Sequence, residues 1–251
     1  MRRKTGWFVL VVIILVALVF GYLYGREYYY QRQYDRTHIN KPVTTKQELS
    51  KIYAELETIR FGDIPTKVQD ATHASKPIYK KKLQEQPYIK LTRDDLFRKI
   101  VRDYRIKDFL SKDVMYANTI QNNAPYYLCL DKKTLSKFIE LLDWMDSNDY
   151  DTQEITLRSG YRSPRRNYYI GGASQSRHIY GQAIDIGVGD INRDGSSNKV
   201  DKDLILHILD TKIIGNSGGI GLYPGTRAVH FDTRGRRARW NTYTPAIKKN
   251  K

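Results

Sequence analysis

Two imidazoles and one carboxylate stand out in this chain of 251 residues. His178 and Asp185 lie seven positions apart in "SRHIYGQAIDIGVGD", and His230 lies in "RAVHFDTRG". Alternate residues of a strand share a face, so "GQAIDIGV" puts Ala183 and Asp185 on one side and Ile184 and Ile186 on the other. An aspartate on an otherwise apolar strand needs a partner or a metal, because an unpaired buried carboxylate is costly. The second motif repeats the pattern, with Val229 and Phe231 on one face and His230 and Asp232 on the other. Imidazole and carboxylate are both ligands for Zn²⁺, and three protein ligands leave one tetrahedral position open for water. Gly181 would let the chain turn between the loop holding His178 and the strand holding Asp185. The remaining histidines carry no such pattern: His207 falls midway along a helical stretch, and His38 and His73 fall in a polar segment.

The elements that must position these groups are legible in outline. "DKKTLSKFIELLDWMDSND" reads as an amphipathic helix burying Leu135, Phe138, Leu141, Leu142 and Met145. "TRDDLFRKIVRDYRI" reads as another helix, with a capping residue and early acids. "EITLRSG", "GQAIDIGV" and "RAVHFDT" read as strands bounded by glycine, and "DKDLILHILDTKII" as a helix between the last two. Helices and short strands mix without regular βαβ alternation, which predicts an α+β domain. We place it at residues 91–245, with its chemistry-bearing motifs at 131–240. Residues 26–90 are polar and tyrosine-rich and read as a stalk or spacer. That spacer includes one helix in "TTKQELSKIYAELETIR", with Thr44 or Thr45 as its cap and Leu49, Ile52, Tyr53 and Leu56 on one face.

"LRSGYRSPRRN", "SRHIYGQAIDI" and "GGIGLYPGTRAVHFDTRGRRARW", taken in order, resemble the zinc D-alanyl-D-alanine carboxypeptidase and murein endopeptidase family, which shares its fold with the hedgehog signalling domain. The S-x-H-x-x-G-x-A-x-D pattern is complete from Ser176 to Asp185. The resemblance implies a small antiparallel sheet with flanking helices. It implies His178, Asp185 and His230 as zinc ligands, Arg162 as the group holding a substrate carboxylate or carbonyl, and Ser176 assisting at the substrate. Guanidinium geometry suits the role given to Arg162. Several branches of the family place a glutamate three residues before the last zinc histidine, or a histidine two before it. Arg227 and Ala228 stand at those positions here, and neither can act as a base. A third branch shows the H-x-D arrangement found here. That makes Asp232 the candidate general base, with orientation of His230 as its alternative role.

"DINRDGSSNKVD" follows the strand and has the ligand spacing of an EF-hand loop: Asp190, Asn192, Asp194, Ser196, Asn198 and Asp201, with Gly195 at the sharp turn. It departs from that pattern in ending on aspartate and in carrying Ser197 where an apolar residue usually sits. The expectation is a structural Ca²⁺, set against an ordinary Asp/Asn/Gly turn.

Residues 1–25 are set apart from the rest. Arg2, Arg3 and Lys4 precede an apolar run of 18 residues, Trp7–Tyr24, and such a run makes about 27 Å of helix, close to the hydrocarbon thickness of a bilayer. Bulky side chains follow the run where a signal-peptidase site needs small ones, so an uncleaved single-pass anchor is expected. The basic residues in front of it would keep the N-terminus in the cytoplasm and place the domain outside, on the periplasmic or cell-wall side. Cys129 is the sole cysteine, so no internal disulfide forms. Lysine and arginine exceed aspartate and glutamate by 43 to 27, a formal net charge of +16. Such an excess attracts polyanions. Outside the cytoplasm nucleic acid is not an expected partner, and an acidic wall polymer or membrane surface is. Two functions of different class follow: a membrane-anchored zinc peptidase acting on peptidoglycan stem peptides or cross-links, and a peptidoglycan-binding or scaffolding module that has lost turnover. A dipeptidase or carboxypeptidase acting on soluble peptides is the nearer rival of the first.

Overall fold

The structure, a computed structural model, describes residues 2–111, 113–114 and 125–240, with backbone alone for 2–6, 8 and 20. Residues 241–245, assigned above to the α+β domain, lie outside the described set. The chain divides into two compact units, Met1–Lys41 and Pro42–Lys251. The first is dominated by one helix, α1 (Arg2–Thr37), which runs well past the apolar stretch. By length and composition, the part from Val9 to Thr37 can cross a membrane.

The second unit begins with α2 (Lys46–Glu55). Thr45 caps it, accepting from the Glu48 amide while the Glu48 carboxylate accepts from the Thr45 amide, and a cap of this kind stabilises a helix by about 1 kcal/mol. There follow β1 (Glu57–Ile59), α3 (Thr66–Ala71), α4 (Pro77–Leu83) and β2 (Tyr88–Leu91). The segment 42–90 is therefore not a spacer. Val43, Leu49, Ile52, Leu56, Phe61, Ile64, Leu83 and Ile89 are buried in the same core as the residues around the metal motifs. Its period was hard to read because its buried positions are shared among short elements instead of one long stripe.

"TRDDLFRKIVRDYRI" also departs from expectation. It forms a 3₁₀ turn at Asp95–Phe97 and a hairpin of β3 (Lys99–Val101) and β4 (Tyr104–Arg105). Arg102 takes a positive φ of 49° at the turn. Branched Ile100 and Val101 side by side, both fully buried, favour the extended backbone over another helical turn. The chain continues through β5 (Tyr126–Leu128), which joins β1 and β2 in a three-stranded antiparallel sheet.

The remaining elements form the site. They are α5 (Lys132–Ser147), β6 (Ile155–Ser159), α6 (Pro164–Tyr169), β7 (Ala183–Val188), α7 (Lys199–Ile208), β8 (Gly219–Leu222), β9 (Ala228–Asp232) and β10 (Ala238–Trp240). The strands make one five-stranded sheet in the order β10-β8-β9-β7-β6. It is antiparallel except at one edge, where β10 runs parallel to β8. Helix α5 lays its predicted stripe of Leu135, Phe138, Leu141, Leu142 and Met145 into the core, where Phe138 meets Phe231 of β9 with ring centroids 6.1 Å apart. One face of β7 and β9 (Ile184, Ile186, Val229, Phe231) is thus held by apolar packing. The opposite face is left to carry polar groups. The α+β class holds, with mixed rather than purely antiparallel pairing.

Candidate metal centre

Register and one turn place the three ligand candidates together. On the β7–β9 ladder Asp185 stands directly opposite His230, and Ala183 opposite Asp232. Directly opposed side chains share a face at contact distance, so Asp185 and His230 must meet. His178 arrives from outside the sheet, on a 3₁₀ turn at Arg177–Tyr180. Gly181 ends that turn at φ 65° and sends the chain into β7. A side chain there would overlap the carbonyl of Cys129 and would also face the left-handed penalty.

The ligand atoms form a tight triangle. His178 Nε2 lies 3.1 Å from Asp185 Oδ1 and 3.2 Å from His230 Nδ1, and His230 Nδ1 lies 2.8 Å from Asp185 Oδ1. All three residues are buried. The outer nitrogens define the tautomers. His178 Nδ1 is 2.7 Å from the Gly160 carbonyl, which only accepts, so Nδ1 carries the proton and Nε2 presents its lone pair inward. His230 Nε2 is 3.1 Å from the Asp232 carboxylate; with its proton held there, Nδ1 can present a lone pair inward. In that state two lone pairs and a carboxylate oxygen converge on one point, as the ligands of a cation do. Ligands about a tetrahedral zinc, at bond lengths of roughly 2.0–2.1 Å, stand about 3.3 Å apart. The donor set therefore fits Zn²⁺, and it is the one group of this kind among the described residues.

The surrounding charges agree. Burial alone would raise the Asp185 carboxyl, but His178 and His230 outweigh it and hold the group well below the usual carboxylate range. Burial lowers His178, against the pull of Asp185. It acts the same way on His230, but there the bonds to Asp185 and Asp232 win and the imidazole is raised. Arg162 donates to Asp185 Oδ2 and, through Nε, to Ser159 Oγ at 2.8 Å. It lines the cleft over the ligands, where the resemblance expected a group that meets substrate. Ser176 lines the same cleft, at the start of the turn that carries His178.

Asp232 is placed differently from its expected role as general base. Its side chain is fully buried behind His230 and does not line the cleft. Its oxygens accept from His230 Nε2, from the amide of Gly219 at 3.0 Å, and from the backbone and guanidinium of Arg234. Burial opposes its ionisation, but His230 and Arg234 hold it far below the ordinary range. A carboxylate so engaged is placed to orient the imidazole, the alternative role given to it above.

The loop after β7 gives calcium no support. Asp190 accepts from the Asp194 and Gly195 amides, Asn192 and Asp194 from those of Asp194 and Ser196, and Asn198 from that of Val200. Asp201, fully buried, accepts from the amides of Ile191, Asn192 and Asn198 at 3.0, 3.3 and 2.9 Å. Ser196 supplies its carbonyl, not its hydroxyl, to the Asn198 side chain. These oxygens serve consecutive Asx turns and a capping box for α7, the ordinary-turn alternative to the calcium loop.

Residues that the motifs did not single out complete the cleft, which measures about 350 Å³. Tyr223, in the β8–β9 turn, brings its hydroxyl to 3.5 Å from Asp185 Oδ1. Trp240 of β10 packs on His230 at 5.1 Å between centroids, with Arg234 over its ring at 5.2 Å. Gly219 and Gly221 of β8 make room for this: a side chain at Gly221 would enter the Trp240 ring, and one at Gly219 would strike Asp232 and Arg234. The "GGIG" spacing was the available signal, since alternate glycines strip one face of a strand.

Residues 109–232 match the sequence model of the family described as Peptidase M15. The zinc D-Ala-D-Ala carboxypeptidase of Streptomyces albus G is 54% identical over 35 residues. That match covers 14% of this chain and 14% of the relative, so the chain spans only a small part of the length of the curated relative it matches. No solved structure matches the chain. The buried His-Asp-His triangle lies within the matched segment, the part of this chain that is similar to the peptidase M15 family.

Proposed function

We propose that the chain is a membrane-anchored zinc peptidase, acting outside the cytoplasm on amide bonds in the stem peptides or cross-links of peptidoglycan. The observation that carries this reading is the convergence of His178 Nε2, Asp185 Oδ1 and His230 Nδ1 within 3.2 Å of one another, beside an open cleft. A zinc ion held by His178, Asp185 and His230 would supply Lewis-acid chemistry for amide hydrolysis. The chain supplies the rest. Asp232 and the Gly160 carbonyl hold both imidazoles in the ligating tautomer. Arg162 spans Asp185 and the cleft, where a guanidinium can hold a peptide carboxylate or carbonyl. Trp240 and Tyr223 wall the cleft on the β8–β10 side. The Val9–Thr37 helix would anchor the chain, and the basic residues preceding the apolar run would keep its N-terminus inside.

A second reading, a wall-binding module without turnover, is favoured by one feature. Among the described cleft-lining residues there is no carboxylate, since Asp185 is committed as a ligand and Asp232 is sealed behind His230. Incubation of the purified chain with muropeptides and zinc separates the two. New cleavage products by mass spectrometry that disappear with His178→Ala support the peptidase. Retention on sacculi with no product in either protein supports the binder.

A further inference from the structure

Many basic side chains of the second unit stand beside an acid. Arg98 pairs with Glu55, Arg102 with Asp143 and Asp146, Arg193 with Asp149, Lys199 with Asp203, and Arg237 and Arg239 with Asp210. One face differs. Helix α3 and the turn after it pack against the start of α6, where the Arg165 amide donates to the Thr72 carbonyl at 2.9 Å and its guanidinium reaches the Ala71 carbonyl at 3.2 Å. This brings the basic run of α4, "KPIYKKKL" (Lys76–Leu83), beside "PRRNYY" of α6 (Pro164–Tyr169). Lys76, Lys80, Lys81, Arg165 and Arg166 are exposed there, and none has an acidic partner among the described residues. Two tyrosines lie among them, Tyr168 at 49% and Tyr169 at 59% exposure, with Lys76 over the first ring at 5.6 Å and Arg165 over the second at 5.7 Å. The face runs into the cleft. Lys82 reaches Gln175 at 3.2 Å, and Gln175, with Gly171 and Gly172 just after α6, lines the cleft mouth.

We propose that this face is an exosite for the polymer that carries the scissile peptide: a glycan strand whose neighbouring stem peptides present carboxylates. Exposed unpaired cations suit regularly spaced carboxylates. Flat tyrosine faces held by cations give sugar rings a surface to lie on. The continuity with the cleft through Gln175 favours the substrate strand over an unrelated anion. A lipid surface fits less well, because Ile78 is the one large aliphatic side chain exposed on this segment, at 61%. The identity of the strand rests on the peptidase reading above, whereas the binding does not require turnover.

The test is co-sedimentation of the full chain, in detergent, with sacculi treated with hydrofluoric acid to remove phosphodiester polymers. Lys80→Gln/Lys81→Gln/Arg166→Gln removes three charges from the face. Arg193→Gln/Lys199→Gln/Lys137→Gln removes three from elsewhere. The first variant is expected to bind about tenfold more weakly, with a shallower salt dependence, and the second to bind as the parent does. Equal losses in both variants, or none in the first, overturn the proposal. So does binding that vanishes once the phosphodiester polymers are gone, or that anionic vesicles compete away while soluble glycan-peptide fragments do not. Circular dichroism melts of each variant keep a folding failure from passing as a loss of binding. Retention is read separately from cleavage, so a chain that binds without cutting fails the peptidase reading and leaves this one standing.

Discussion

Asp232 does not line the cleft but meets His230 and Arg234, which do. Its carboxylate receives His230 Nε2–H at 3.1 Å while Arg234 and the Gly219 amide hold it from behind. Asp232→Asn keeps the shape but turns a full acceptor into an amide that can present its N–H to the imidazole. Zinc affinity is expected to fall by about 10- to 100-fold, with hydrolysis recovering partly at high zinc. Competition with a chromogenic chelator measures it. Were Asp232 instead the base, activity would be lost with affinity intact. Gly181→Ala is the residue-scale test of positioning. It meets the Cys129 carbonyl in a backbone conformation that costs an L-residue about 1–2 kcal/mol, so both stability and zinc affinity should drop, read by thermal melting and metal titration.

Among the elements, β10 joins the sheet edge through its ladder with β8 and through the arginines around its start. Arg237 and Arg239 both reach Asp210, and Arg239 also donates to the Gly218 carbonyl at 2.8 Å and the Gly215 carbonyl at 2.6 Å. The bonds from Arg237 and Arg239 outweigh burial and lower the Asp210 carboxyl from its ordinary 3.8. A group with a lowered folded value contributes stability above the unfolded value and loses it as pH falls through the folded one. Amide exchange at 238–240 is therefore expected to accelerate as pH drops below about 4, beyond the intrinsic pH trend. Asp210→Asn should produce the same loosening at neutral pH. Because β10 carries Trp240 onto His230, that variant should also alter the cleft, whereas β9, fixed between β7 and β8, should keep its protection.

For the molecule as a whole, the division falls at Lys41–Pro42, not near residue 90. Residues 42–251 are expected to fold alone, unfold in one transition and bind one zinc, while 91–251 should not. Loss of Leu49, fully buried on α2, tests the same point inside the intact chain. Leu49→Ala should cost about 2–5 kcal/mol by denaturant unfolding, the range for a buried leucine, against nearly nothing if the segment were a stalk. Chelation of zinc should lower the melting temperature of the 42–251 unit, because a ligand that binds only the folded state stabilises it.

Chain periodicity by itself determined the α5 stripe, the β7 and β9 faces and the apolar N-terminal run, since each buries one side against water at a spacing that recurs locally. Residue chemistry likewise singled out His178, Asp185 and His230, because few other uses repay an acid and two imidazoles among apolar strand residues. Only the tertiary structure decided on which side of His230 the Asp232 carboxylate lies, because that depends on the β8 register, the Gly219 amide and the Arg234 side chain rather than on H-x-D spacing. It decided equally that 42–90 belongs to the core and that the Asp190–Asp201 oxygens serve backbone amides. In each case a local pattern permits two arrangements of equal spacing, and the choice between them is made by partners distant in the chain.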